Sequence, residues 1–208
     1  MKSNEIIIRK ESPADWAEVE NLTREAFWDV YAPGCDEHLI VHDLHGHKDC
    51  IEELTYVAEY NGRIVGHIMY THSHLSDGTV RHPSISFGPI SVLPDMQRKG
   101  VGSLLIRHTL ALAKEMGYPG VIIEGNPNYY HRFGFYDAEK HGIAMPDGTF
   151  SDCMMAIEFL PGALHAGTTC YADAFSVDQA RLTEFEKQFP PKVKRAAKST
   201  DLHSVEPT

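Results

Sequence analysis

The chain has 208 residues, an apolar share of 42%, a charged share of 23% and a formal net charge of −10. That length fits one domain with a short appendage and a sizeable core, and the acid excess argues against nucleic acid, whose phosphates need a basic face. Four cysteines (Cys35, Cys50, Cys153, Cys170) without a Cys-x-x-Cys pair suggest neither a zinc site nor a disulfide framework, and no apolar run approaches the ~18 residues of a membrane span.

Residues 6–9 read as a first strand, too short and too soon followed by charges to be a signal peptide, so a cytoplasmic protein is expected. Ser12-Pro13-Ala14-Asp15 then forms a capping box with proline at the first helical position. Trp16, Val19, Leu22, Ala26, Phe27 and Val30 follow at helical spacing and predict a helix over 13–28.

The next segment, 36–54, carries His38, His42, His45 and His47 with Asp43, Asp49 and Cys50. Histidines 38, 42 and 45 share a helical face, which would suit metal ligands or a polar lip around a substrate. A solvated helix face is the plainer reading, with Leu39, Ile40 and Leu44 packing on other sides. With no His-Glu-x-x-His and no cysteine at finger spacing, no metal is expected.

Strands over 55–60 and 63–75 flank Asn61-Gly62, a two-residue hairpin signal. Asp77-Gly78 marks a second hairpin, so an antiparallel meander leads into a strand over 85–93. His72 and His74 fall on one face of the strand over 64–75, which reads as polar. The last meander strand stops at Pro94-Asp95, and Gln97-Arg98-Lys99-Gly100-Val101-Gly102 opens a helix over 100–116. Val101, Leu104, Leu105, His108 and Leu112 share its apolar face. The first N–H groups of such a helix lack intrahelical partners, and the dipole adds roughly half a positive charge there. The two glycines let an anion approach the backbone, and a phosphate suits the place. The spacing is neither Gly-x-Gly-x-x-Gly nor Gly-x-x-x-x-Gly-Lys-Ser/Thr, which disfavours a dinucleotide fold and a nucleotide P-loop.

A buried strand, Val121-Ile122-Ile123, should pair in parallel with 85–93 through a right-handed crossover. It leads into Glu124-Gly125-Asn126-Pro127-Asn128-Tyr129-Tyr130-His131-Arg132-Phe133-Gly134-Phe135, an aromatic-rich short helix. Strands near 136–138 and 150–160 end at Pro161-Gly162. Ser176 starts a second capping pattern with Gln179 at the third helical position. Leu182, Phe185 and Phe189 form a stripe that must pack on its own domain, with the sheet edge favoured, or against a second subunit, which allows a homodimer. Residues 192–208 read as a loose tail.

The Gln-x-x-Gly-x-Gly turn, together with the strand and aromatic helix ending in Phe-Gly-Phe, resembles the acyl-CoA-binding region of the GNAT superfamily of N-acetyltransferases, in an uncharacterised bacterial branch. The resemblance covers about 5–160 and its motifs lie within 84–135. It implies an α/β fold with a central mixed sheet flanked by helices and a splayed strand pair. A GNAT domain would occupy 1–165, with a C-terminal extension over 166–208. It also implies transfer of an acetyl group from acetyl-CoA, as co-substrate, to a primary amine of a small molecule or peptide by direct attack. A catalytically weak acyl-CoA-binding or sensing module is the alternative, separable by a turnover measurement.

Carried over residue by residue, the resemblance has backbone groups of Ile90, Ser91 and Val92 bonding the pantetheine arm as an added strand. Gln97, Arg98, Lys99, Gly100, Val101, Gly102 and Ser103 hold the pyrophosphate, and Asn126 faces the cofactor arm. Pro127 departs from the Asn-x-x-Ala pattern of many relatives. Tyr130, four residues before Gly134, stands near the thioester sulfur as general acid. Tyr129 is one residue along, about 100° away around a helix. The amine starts with a pKa near ~10.4 and needs a base. Glu124, at the strand end beside the gap, is the candidate relay through water, with a hydrogen-bonded strand-end carboxylate as its other reading. Glu59 and His131 are further candidates, and strand 85–93 carries no acid. The region around Trp16, Phe27, Trp28 and Tyr31 borders the acceptor pocket, as lining or as core. The acidic net charge favours a cationic acceptor.

Overall fold

A computed structural model describes residues 6–198. In chain order its helices and strands are β1 (Ile7–Lys10), α1 (Trp16–Phe27), α2 (Glu37–Leu44), β2 (Tyr56–Tyr60), β3 (Arg63–Ser76), β4 (Arg81–Val92), α3 (Val101–Glu115), β5 (Gly120–Glu124), α4 (Pro127–Tyr130), β6 (Tyr136–Asp137), β7 (Ile143–Ala144), β8 (Met154–Glu158), β9 (Gly167–Cys170) and α5 (Gln179–Phe185). Among the described residues the strands form one mixed sheet in the order β1-β2-β3-β4-β5-β8-β6, with β9 joining β3 and β7 off that path. The expected antiparallel meander is β1 to β4. Its first hairpin turns on Asn61 and Gly62, both at positive φ (52° and 75°), as a primed two-residue turn requires.

The capping box before α1 is present in its return half. The Ser12 backbone N–H donates to the Asp15 carboxylate at 2.8 Å, and the same carboxylate takes two hydrogen bonds from Arg9. In α3 the buried stripe is Val101, Leu105, Ile106, Thr109, Leu110 and Ala113. It is rotated from the expected face, leaving Leu104, His108 and Leu112 half-buried at its margin. Period alone cannot rank two adjacent apolar faces, and the close approach of α3 to β3 settles the choice.

Several expectations are corrected. The strand near 150–160 is only Met154–Glu158, while β7 and β9, of two and four residues, are too short to leave a period-two pattern. Helix α5 is capped by Asp178, whose side chain accepts from the Arg181 N–H at 2.8 Å, and Ser176 instead ends a single 3-10 turn. The Leu182, Phe185 and Phe189 stripe docks on its own chain, but on Leu39 of α2 rather than the sheet edge. Burying side chains of this size contributes about 1.5–3 kcal/mol each.

The described part of the C-terminal tail is held. Lys198 N–H donates to the Asp29 carbonyl at 2.8 Å, Arg195 N–H to the Asp29 carboxylate, and the Trp28 indole to the Val193 carbonyl. Residues 199–208 lie outside the described residues.

Of the three histidines on the expected helical face, His42 is exposed while His38 and His45 are covered. His38 is fully buried, with Nε2 2.7 Å from a Glu186 oxygen and its ring against Phe185 and Phe189. Burial pushes its pKa down to about 4. His42 pairs with Glu20, and His45 stacks on Trp16 while reaching Glu11 and Glu20. His67 of β3 is also fully buried. Each sequence-visible histidine of α2 therefore has a carboxylate partner supplied by a distant segment. His47, Asp49 and Asp173 bring ligand atoms within 4.8 Å of one another. There the Asp49 N–H donates to His47 Nδ1, which leaves the ring proton on Nε2, 2.8 Å from Asp173.

Candidate active site

Strands β4 and β5 are parallel neighbours paired only at Ile85 and Val121. Beyond that point they splay. On its other edge β4 stays bonded to β3 as far as Val92, and β5 stays bonded to β8. The β4 edge over 86–92 therefore faces an opening, with backbone groups available to an extended ligand. Ser91 is the residue there whose side chain is spoken for. It is buried and donates to Thr23 of α1 at 2.9 Å, so the strand offers its backbone rather than this hydroxyl.

One end of the opening leads to the start of α3. Gly100 is the cap of that helix at φ 88°, a left-handed conformation that lets the first N–H groups face outward. A cavity of about 340 Å³ lies there, lined by Val92, Met96, Gln97, Arg98 and residues 100–103, with Tyr129 and Arg132 opposite. A Cβ on Gly102 would sit 3.1 Å from the Tyr129 hydroxyl, so a side chain at this position fills the cradle. Arg132 is a second cation here that the motif reading missed. It comes from the aromatic block and lies 4.6 Å above the Tyr129 ring. Two of the expected residues are also tied to nearby backbone. Lys99 Nζ turns back to the Asp95 carbonyl at 2.7 Å, and the Gln97 amide donates to the Val92 carbonyl, closing the strand end.

The other end opens into a cavity of about 290 Å³, whose walls include Phe87, Ile90, Glu124, Asn126 and Tyr130. Phe27, Tyr31, Glu37, Ile40, Tyr171 and Phe175 also line it. Of the four aromatics expected to border the acceptor, Phe27 and Tyr31 line this cavity. Trp28 is instead buried under the C-terminal strap, and Trp16 lies against His45.

The short helix α4 places the tyrosines. Asn126 is its cap and accepts from the Asn128 N–H at 2.9 Å, and Pro127 occupies the first helical position. Pro127 thus fits a local role, a pre-set φ at a helix start. Neighbouring residues of a helix point about 100° apart, so Tyr129 faces the glycine cradle while Tyr130 faces the second cavity. Tyr130 is 4% exposed, with its ring 6.0 Å from Phe87 and 5.7 Å from Phe135. A Cβ on Gly125 would lie 2.3 Å from that ring, so only glycine permits this packing. Burial raises the Tyr130 pKa far above the ordinary phenol range and keeps it protonated.

Two carboxyls line the same cavity. Burial raises Glu124, and the Tyr171 phenol facing it tempers the rise, though no hydrogen bond of ordinary geometry closes between them. Glu37 opens α2 and takes a hydrogen bond from the Asp36 N–H at 3.1 Å. Burial, followed by the nearby charge of Asp36, pushes it up to about 7. Among the described residues no lysine, arginine or histidine pairs with either carboxyl. Sequence reading missed Glu37, because nothing in the 36–54 segment ties it to a site 90 residues downstream. Glu59 is committed to Arg9, and His131 to Asp137 at the surface, so neither reaches the cavity.

An opening that continues from an anion-ready helix start, along a free strand edge, into an aromatic cavity suits one long ligand with a phosphate head and a reactive tail. This is the design of a transferase that uses an acyl carrier. The family model described as Acetyltransferase (GNAT) family matches residues 16–136, more than half the chain, and the chain belongs to this family.

Among curated proteins, the uncharacterized N-acetyltransferase YjhQ of Escherichia coli is 36% identical over 83 residues, spanning 39% of this chain and 45% of that protein. The uncharacterized N-acetyltransferase YhbS of the same species is 27% identical over 139 residues, covering 66% and 78% of the two chains. A GNAT family acetyltransferase from Brucella melitensis, crystallised with acetyl-CoA, superposes with a TM-score of 0.67 at 32% identity, covering 82% of this chain and 97% of that one. YhbS in complex with CoA superposes at 0.74 with 23% identity, a likeness of fold. Among the described residues no helix is long and apolar enough to cross a membrane.

Proposed function

We propose that this protein transfers the acetyl group of acetyl-CoA to a primary amine by direct attack. The observation that carries the reading is the placement of two unlike cavities along the unpaired β4 edge, one at the α3 start and one lined by Tyr130. The α3 start, Gly100, Gly102, Ser103 and Arg132 take the pyrophosphate. Backbone groups of Ile90, Ser91 and Val92 take the pantetheine arm, which places the thioester near Tyr130. The family model and the Brucella structure, solved with acetyl-CoA, support this choice of acyl donor.

The chain's residues then divide the proton work. An amine binds as its ammonium and gives one proton through water to Glu124, whose raised pKa makes it a better base than an ordinary carboxylate. The nitrogen attacks the acyl carbon, the C–N bond forms and the C–S bond breaks. Tyr130 donates a hydrogen bond and then a proton to the leaving sulfur, and the second proton shed by nitrogen restores the phenol through solvent. A free thiol has a pKa near ~8.5, so a phenol that stays protonated at neutral pH fits this task.

The test is a single-turnover assay of free thiol release with a panel of amines, beside a thermal-shift titration. Acetyl-CoA should raise the melting temperature by mass action, and NAD or ATP should shift it less. A larger shift with either nucleotide would sink the donor assignment. Binding of acetyl-CoA without thiol release to any amine would favour the binding-module reading.

A further inference from the structure

We propose that Glu37 is the acceptor-binding carboxylate and that the acceptor is a compact primary amine with a flat, ring-bearing apolar body. This rests on the acetyltransferase reading of the same site. The cavity brings two carboxyls, Glu37 and Glu124, among aromatic walls, and no cationic side chain of the described residues pairs with Glu37. A half-buried carboxyl without a counter-charge is costly unless a ligand supplies one. An ammonium does so, and the faces of Tyr31, Tyr171 and Phe175 attract the same charge while packing a flat body.

The remaining wall restricts what else the acceptor can carry. Ser86 is buried, and the Asn126 side-chain oxygen is committed to its helix cap. Glu124 lies at the strand end beside Tyr130, where the proton relay is needed. A second or third ammonium on an acceptor therefore finds no further carboxylate. A cavity of about 290 Å³ also sits at the small end of the ~300–1,000 Å³ range of ligand pockets, which disfavours a peptide.

The origin of Glu37's readiness is local. Its neighbours are Asp36, Tyr31 and Cys35 on the preceding loop, with Glu124, Tyr130 and Tyr171 across the cavity. Lys194 of the C-terminal strap lines a smaller neighbouring hollow together with Glu37. Burial first, and the charge of Asp36 after it, disfavour its ionisation, while the backbone N–H groups of Glu37 and Asp36 partly offset this. An arriving ammonium supplies the counter-charge that no cationic side chain of the described residues provides, so the complex favours the ionised carboxylate.

The experiment measures acetyl-CoA-dependent thiol release with phenylethylamine, spermidine and a lysine-bearing peptide, using the full chain. Phenylethylamine should exceed both others in kcat/KM by about tenfold or more. Glu37→Gln should raise KM for phenylethylamine about tenfold or more while kcat stays within about threefold, the signature of lost ground-state binding. Acetyl-CoA affinity should not change, and Glu37→Asp should recover part of the loss, which a purely structural role would not produce. An unchanged KM in Glu37→Gln overturns the proposal. So does a preference for spermidine or the peptide, which leaves the acetyltransferase reading standing. Thiol release with no acceptor at all, despite acetyl-CoA binding, overturns both.

Discussion

The two cavities that border β4 are built on different principles. The one at the start of α3 is made largely by a contiguous stretch, residues 96–103, with its glycines and turn exposing backbone donors. The other draws its walls from 27–31, 37–40, 86–90, 124–130 and 171–175, and works through side chains. A backbone cradle recognises a charge that every member of a ligand class shares. A side-chain cavity drawn from distant segments can change its preference one residue at a time. Donor binding in this protein should therefore be robust to side-chain changes and sensitive to added bulk, with the acceptor cavity showing the reverse.

The largest expected effect lies at Tyr130, in the wall of the second cavity. Tyr130→Phe keeps the ring and removes the hydroxyl, so turnover should fall by roughly 10²–10⁴-fold with acetyl-CoA affinity retained. Tyr129→Phe, whose ring faces the glycine cradle instead, should leave turnover near wild type. The reverse pattern in thiol-release assays would shift the acid to Tyr129, and no effect from either would remove a tyrosine acid from the mechanism.

Next in size is the cradle itself. Gly102→Val should weaken acetyl-CoA binding by about 10–100-fold, since the added side chain meets the Tyr129 hydroxyl, while the fold survives because the neighbour is a side-chain tip. Calorimetric titration checks this, and full affinity in the variant would remove Gly102 from the donor site. Arg132→Ala should cost less, about three- to tenfold, and flatten the salt dependence of donor binding.

The contrast between the cavities also explains what could be read in advance. The meander and the α3 start were legible because each is written in local spacing, from Asn61-Gly62 to Gln97–Gly102, whereas Tyr130 was singled out by the family resemblance. Glu37, Tyr171 and Phe175 were not. Their meaning depends on which distant segments the sheet brings together. The α2 histidines show the same limit, since His38 and His45 looked like a surface stripe until Glu186, Glu11 and Glu20 closed over them. Asn126 and Pro127 lie between these cases: the motif placed them beside the gap, while their helix-capping geometry supplied the physical reason.

A smaller effect sharpens the acceptor side through pH. The Glu37 pKa in the fold is raised to about 7, above its unfolded value near ~4.5, so the folded state holds this proton more tightly. Its favourable contribution is present below the unfolded pKa and is lost as pH rises through about 7. Glu37→Gln should therefore melt a few degrees higher than wild type at pH 8, with the difference closing below pH 5. Turnover follows the opposite sign, because the ionised carboxylate binds the ammonium. The acid limb of kcat/KM for the amine should fall near pH 7 in wild type, and in the variant only the limb set by the Glu124 base should remain. Equal melting temperatures at pH 8 would place Glu37 in solvent.

The division of the site into a donor half and an acceptor half is tested most directly by hydrogen–deuterium exchange with ligands added in turn. Acetyl-CoA alone should slow exchange over 86–92 and 97–103, where the β4 edge and the α3 start would hold it, and leave 37–40 and 171–175 nearly unchanged. Adding an acceptor amine with non-reactive CoA should then slow exchange in those two segments. Protection by acetyl-CoA at 37–40 and 171–175 with none at 97–103 would contradict this arrangement of the site.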